Sequence, residues 1–250
     1  MYINDINILY YVLIGIIGLI VGQFLDWCNQ RLPQYKEIFS KEFFTIFLKN
    51  FKPKYILMFG MAIIYILLLY FIGWKDGLLN KIELLKYIIL APMLICTLTI
   101  DIKHQIIPNR LNLAIFEVGL ACTFMQGIMD MNVAINTLLG GVIGAGVFLA
   151  ITAVGGLIVG KEAMGFGDVK LMGGLGLFFG WINIIIIALI AFLLGAIVSI
   201  FLLITKKKKT NEYIPFGPFI VVAAFIVMVV PNQVLITLLF KIFTLGMYNI

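Results

Sequence analysis

Apolar runs long enough to cross a bilayer recur along almost the whole 250-residue chain. A membrane helix needs roughly 20 apolar residues to cover about 30 Å of hydrocarbon. Such runs lie near 8–26, 55–73, 86–100, 111–129, 134–159, 171–182, 183–204 and 214–230. A ninth stretch, 233–248, contains Lys241 and either spans or lies at the interface. With 63% hydrophobic and 12% charged residues, against roughly 45–50% and about 25% in soluble domains, the chain cannot cover itself as a soluble globule. The expected fold class is all-α, a polytopic integral membrane protein of about eight transmembrane helices. Disorder, a collagen-like fold and nucleic-acid binding are excluded by the same composition, and the lipid bilayer becomes the expected surrounding. One His and three separated cysteines, Cys28, Cys96 and Cys122, form neither a disulfide framework nor a CxxC metal or redox motif. The stretch Ile8–Phe24 lacks a preceding basic flank and a following small-residue cleavage site, so it does not read as a cleavable signal.

Basic residues orient the spans, because Lys and Arg collect in cytoplasmic loops. With the N-terminus outside, loops 28–54, 101–110, 160–170 and 205–213 hold 14 of the 18 Lys and Arg residues. The opposite side holds Lys75, Lys81 and Lys86, with Lys241 undecided. This arrangement requires an even number of crossings between Lys170 and Lys206, so 171–204 divides into two spans. The first piece is short and rich in glycine (Gly173, Gly174, Gly176, Gly180), as close helix packing or a re-entrant helix requires. In loop 28–54, Phe39, Phe43, Phe44, Phe47 and Phe51 recur near helical spacing. They read as an amphipathic helix on the membrane surface or on the protein's own face. Lys206–Lys209 reads as a stop-transfer anchor.

Charged groups at membrane depth are costly and tend to be functional. Asp101, in LTIDIKHQIIPNRLN, closes the third span, and Asp168, in MGFGDVKLMGGLG, opens the sixth. The orientation puts both at the cytoplasmic boundary. Two neighbouring carboxylates cannot both ionise, so such a pair holds one proton. One member then acts as base on a water while the other polarises a scissile carbonyl. Gly165 and Gly167 are expected to let the backbone before Asp168 turn sharply and a substrate strand approach. Pro108 and Asn109 are expected to end the Asp101 loop and start the next helix. His104 reads as a solvated loop residue. Lys170 either acts on Asp168 or a substrate carboxylate, or snorkels to the surface. Glu117, inside the fourth span, is expected to pair with a buried polar group.

These strings resemble the type IV prepilin peptidases, polytopic aspartic proteases of the GxGD group. GQFLDWCNQRLP (22–33), DIKHQIIPN (101–109), GFGDVKLMGGLG (165–176) and IPFGPFI (214–220) match that family's motifs in order. The resemblance implies a GxGD-type intramembrane architecture with Asp101 and Asp168 as the catalytic pair. Gly165, Gly167 and Lys170 belong to the second motif, and Pro215, Phe216, Gly217 and Pro218 have a substrate or structural role. It divides the chain into a first transmembrane helix (1–27), a short cytoplasmic segment (28–54) and a transmembrane peptidase domain (55–250). The implied partners are prepilins and pseudopilins, cut after a Gly at the cytoplasmic face of a prokaryotic plasma membrane. Many members then methylate the new N-terminus with S-adenosylmethionine, which stays open for this chain. Asp26 stands where the family usually has Asn, and loop 28–54 lacks the two CxxC pairs of the bifunctional members. No zinc is therefore expected. The alternative is a proton- or ion-coupled transporter relaying through the two aspartates, although no internal repeat is visible and neither aspartate lies at the midplane. A non-catalytic scaffold for pilus assembly would need neither motif.

The charge asymmetry makes a direct prediction. In a background without Cys28, Cys96 and Cys122, a cysteine at position 103 should resist a membrane-impermeant thiol reagent in intact cells and react once the membrane is opened. Labelling in intact cells would reverse the orientation.

Overall fold

The computed structural model describes residues 2–4, 6–40, 42–43, 52–74, 77–159, 164–205 and 214–244. These form two compact units, Met1–Val118 and Gly119–Ile250. The helices are α1 (Ile8–Arg31), α2 (Tyr55–Ile72), α3 (Leu78–His104), α4 (Asn109–Gly127), α5 (Met131–Val159), α6 (Phe166–Ile204), α7 (Gly217–Val229) and α8 (Asn232–Phe243). Extended pairing among the described residues is confined to Tyr2–Ile3 against Ile6–Asn7. Five helices, α1, α2, α3, α5 and α6, are long and apolar enough to cross a membrane. The protein is thus an all-α polytopic membrane protein, with fewer qualifying helices than the eight expected.

The differences have local causes. Helix α4 carries Arg110, Asn112, Glu117 and Gln126 and is not among the five. Its Glu117 is exposed rather than buried with a polar partner. Helix α7 is only 13 residues long. It starts at the Gly217–Pro218 pair and stops where Val230, preceding Pro231, turns extended. Helix α8 has 12 residues and buries Leu235 and Leu239, one turn apart. Of the expected Phe39–Phe51 helix, Phe44, Phe47 and Phe51 lie outside the described residues, as do Lys206–Lys209.

In the first unit, α1 and α2 run antiparallel with backbones almost touching. Asn7 starts α1 by accepting the Leu9 N–H at 3.1 Å. Gly15, Gly18 and Gly22 then make one stripe, facing Ile66, Ala62 and Leu57–Met58 in turn. A Cβ on Gly18 would come within 2.6 Å of the Ala62 Cα. The other face of α1 shows Val12, Leu13, Ile16, Ile17 and Ile20 to the surroundings. Small residues inside and large apolar ones outside suit a lipid solvent.

Helix α3 contains Pro92. Proline has no N–H, so the carbonyl four residues back loses its helical partner. That carbonyl, on Ile88, accepts a hydrogen bond at 2.9 Å from the hydroxyl of Tyr65 on α2. A buried phenol thus repairs the break and fastens α2 to α3.

In the second unit, α6 is broken at Gly180, whose φ of 78° and ψ of 175° lie outside the helical region. Gly140 of α5 faces both Gly176 and Gly180, and Gly144, one turn later, faces both Met172 and Ile184. Positions 172 and 184 therefore lie at one level along α5, and the chain reverses between them. The arm before the break runs antiparallel to α5 and the arm after it runs parallel. The expected division of 171–204 thus falls at Gly180. Asn136 caps the second arm, its side-chain oxygen accepting the Trp181 N–H at 3.2 Å.

Tyr65→Phe should cost about 1–3 kcal/mol by leaving the Ile88 carbonyl unpaired. Pro92→Ala supplies the missing N–H, so the double variant should recover most of that loss. Thermal unfolding of the four proteins in detergent measures this coupling, and simple additivity would show that the two positions do not share the carbonyl.

Candidate active site and the loop beside it

Asp101 lies in the last turn of α3 and is 3% exposed. The helix ends three residues later, at His104. Gln105 takes a left-handed conformation with φ of 54°, and its N–H returns to the Asp101 carbonyl at 2.9 Å. Lys103 and His104 in the same turn complement the helix dipole, and both are exposed, as expected for His104. Pro108 is buried, and its carbonyl accepts the Leu111 and Asn112 N–H groups at 3.0 and 3.2 Å. Asn109 is the first residue of α4. Pro108 and Asn109 thus do end the loop and begin the next helix.

Asp168 lies in the first turn of α6 and is also 3% exposed. Gly165 caps this helix, and its carbonyl accepts the Asp168 N–H at 3.0 Å. An acidic residue in a first turn complements the dipole. The expected glycine-dependent turn is not seen here. Gly165 has φ of −67°, which any residue can adopt. Positive φ among the described glycines is confined to Gly73, Gly77 and Gly180. Lys170 is exposed, with its ammonium 5.1 Å above the Phe166 ring.

The late motif is an aromatic clamp within the second unit. Pro215 leads into Phe216, the N-terminal cap of α7, and Gly217 and Pro218 form its first turn. The Phe216 ring lies 5.1 Å from Phe192, 6.1 Å from Phe148 and 5.9 Å from Phe219. Gly195 leaves space for Phe216 and Phe219.

The early motif is a loop anchor, a role the sequence reading did not find. Gln23 is buried and spans the loop ends, donating to the Lys52 carbonyl and accepting the Lys54 N–H, both at 2.9 Å. Trp27 donates from Nε1 to the Ile38 carbonyl at 2.9 Å. Arg31 donates through Nε to the Glu37 carbonyl at 2.7 Å, through Nη1 to Glu42 Oε2 at 2.7 Å and through Nη2 to Ser40 Oγ at 3.1 Å. Its guanidinium also stacks 4.5 Å from the Trp27 ring. Phe39 and Phe43 pack against each other, against Phe24 and, for Phe43, against Trp27. The spacing 23, 27, 31 is a polar stripe at four-residue intervals, and that was its available signal. The hydrogen bond and charge of Arg31 hold the Glu42 carboxyl below its ordinary range. Asp26 accepts from Gln30 at 2.8 Å on the helix surface.

This loop does not fit a tetrahedral zinc ion. The segment 28–54 supplies Cys28 alone, with no His. That thiol is buried within α1, and burial is also the setting of Cys96 and Cys122. Among the described residues no three His, Cys, Asp or Glu side chains group as a metal site.

Among the described residues, Asp101 and Asp168 are the two buried carboxylates, one in a last helical turn and one in a first. Residues 88–200 match the type IV leader peptidase family. Both aspartates lie inside that segment, which bears out the resemblance for the two aspartate motifs. Curated relatives carry the name prepilin leader peptidase/N-methyltransferase. The relative from Legionella pneumophila is 31% identical over 62% of this chain and 53% of its own length. That from Aeromonas hydrophila is 30% identical over 57% and 48%. That from Xanthomonas campestris pv. campestris is 33% identical over 56% and 48%. The chain spans about half the length of the curated relatives it matches. No solved structure matches it.

Arg31→Ala should free segment 32–43, with faster limited proteolysis there and unchanged protection of α3. Acid should partly mimic it. A carboxyl held low when folded contributes above its unfolded pKa, and that contribution is lost as pH falls through the folded value. In the wild type, loop proteolysis should therefore rise as pH drops through and below the carboxylate range, and Arg31→Ala should flatten the dependence.

Proposed function

We propose that this protein is a prepilin leader peptidase working through Asp101 and Asp168. The observation that carries the reading is that both aspartate motifs fall within the 88–200 family match. It is supported by the burial of both carboxylates at helix ends, a costly arrangement in a membrane that marks groups with a function. The transporter reading has no comparable support.

In this reading the ionised aspartate takes a proton from water as the oxygen attacks the scissile carbonyl carbon. The protonated aspartate donates its hydrogen bond to the carbonyl oxygen as that oxygen gains charge. The tetrahedral species collapses, the C–N bond breaks, and the leaving amine takes up a proton. The substrates are prepilins and pilin-like proteins, cut after a Gly that follows a basic leader and precedes an apolar helix. Cleavage occurs at the cytoplasmic face of a prokaryotic plasma membrane, consistent with the basic loops around both motifs. Segment 55–250 forms the peptidase part, and 28–54 is a reduced counterpart of the family's cytoplasmic domain. The relatives' name also includes N-methyltransferase. If this chain shares that activity, S-adenosylmethionine is the donor, and one added methyl on the processed pilin, read by mass spectrometry, decides it.

Asp101→Asn and Asp168→Asn should each lower cleavage of a prepilin in membranes by at least about 100-fold, the scale of general acid–base catalysis. The double variant should be no worse than either single one, as for groups acting as a unit. Substantial cleavage by either well-expressed single variant would falsify the pair.

A further inference from the structure

The first unit has an open-sided cavity of about 670 Å³ that the peptidase reading does not use. Its lining runs along α1 from Val21 to Leu32, roughly 16 Å at 1.5 Å per residue. Most of the wall is apolar, with Phe24, Ile88 and Met93 among its residues. Its charged members, Lys36, Glu37 and Arg110, all lie beyond the end of α1 or in the first turn of α4. The cavity therefore suits an amphiphile, as a long apolar groove with a polar end. Arg110 Nη1 donates to the Lys36 carbonyl at 3.5 Å, which brings the two basic residues together there.

The dimensions decide between occupants. A helix with its side chains is about 10–12 Å across, so this volume would hold only one to two turns of it. A single hydrocarbon chain is thin enough to fill the groove along its length. The polar end, with two cations and one acid, selects a negative headgroup. We propose that the cavity binds an anionic phospholipid of the cytoplasmic leaflet, with one acyl chain along α1 and α3 and the phosphate at Lys36 and Arg110. The leaflet that the basic loops are expected to face is the one rich in such lipids. Arg110 is the second residue of α4, which follows the short loop after the α3 turn that holds Asp101, so an occupied site would brace the start of α4. This inference does not depend on the peptidase reading.

Native mass spectrometry of the full-length protein in detergent, with phosphatidylglycerol or phosphatidylcholine added, tests it. Phosphatidylglycerol should be retained in preference. Lys36→Gln and Arg110→Gln should each weaken its binding about 5-fold, the usual worth of one basic residue at an anionic surface. Ala114→Phe keeps the charges but fills the groove, and should abolish binding. Met93→Trp serves the same purpose if that variant does not fold. Glycerophosphate, which has the headgroup without the tail, should not compete. Equal retention of the two lipids, unchanged binding in a folded groove-filling variant, competition by glycerophosphate, or displacement by a synthetic apolar helical peptide would each overturn the assignment.

Discussion

Apolar side chains gain little by leaving lipid for one another, so these helices are held by closeness of approach. The contact of Gly18 and Gly22 with the Ala62 and Leu57–Met58 backbone makes one such seam, and that of Gly140 and Gly144 with the α6 hairpin makes the other. At each, a methyl group would meet main-chain atoms that cannot move aside. Dispersion between many well-fitted atoms replaces the water-driven burial of a soluble core. The two aspartates end up at helix ends whose positions within their units depend on these seams. Asp168 follows the α6 arm packed on α5, and Asp101 follows α3, which Tyr65 fastens to the α1–α2 pair.

Much of this was legible in the sequence, and for plain reasons. The long apolar runs of α1, α2, α3 and α5 carry their own length signal, and the structure agrees within a few residues at most ends. Asp101, Pro108, Asn109 and Asp168 could be placed at helix ends because their motifs are local. The count of spans was less legible, since hydropathy does not register where a helix stops. Pro231 and the Gly217–Pro218 pair trim α7, and the polar residues of α4 weaken it. The turn expected at the glycines before Asp168 did not appear because composition shows permission and not use. Gly165 has ordinary dihedrals, and the left-handed freedom is spent at Gly180.

The loop anchor was illegible for a different reason. Arg31 is informative only through Glu37, Ser40 and Glu42, and a buried arginine holding backbone and side-chain oxygens looks, in a sequence, like one more cytoplasmic charge. Its planar fork can meet several acceptors at once, and that is how one residue fixes Glu37, Ser40 and Glu42 together. The present chain orders the described part of its loop with a guanidinium, an indole and two phenylalanines.

The reversal at Gly180 has a consequence for how damage to this protein would look. Most core substitutions lower stability and leave the wiring intact. A residue that strongly favours helix at 180 would compete with the hairpin for one uninterrupted rod of 39 residues, since the flanking sequence is helical on both sides. Every segment after it would then be threaded with the opposite sense, and Phe192 and Phe216 would no longer meet Phe148 of α5. Such a variant could be abundant, membrane-inserted and helical by spectroscopy while being a different molecule, a misrouted chain with nothing unfolded about it.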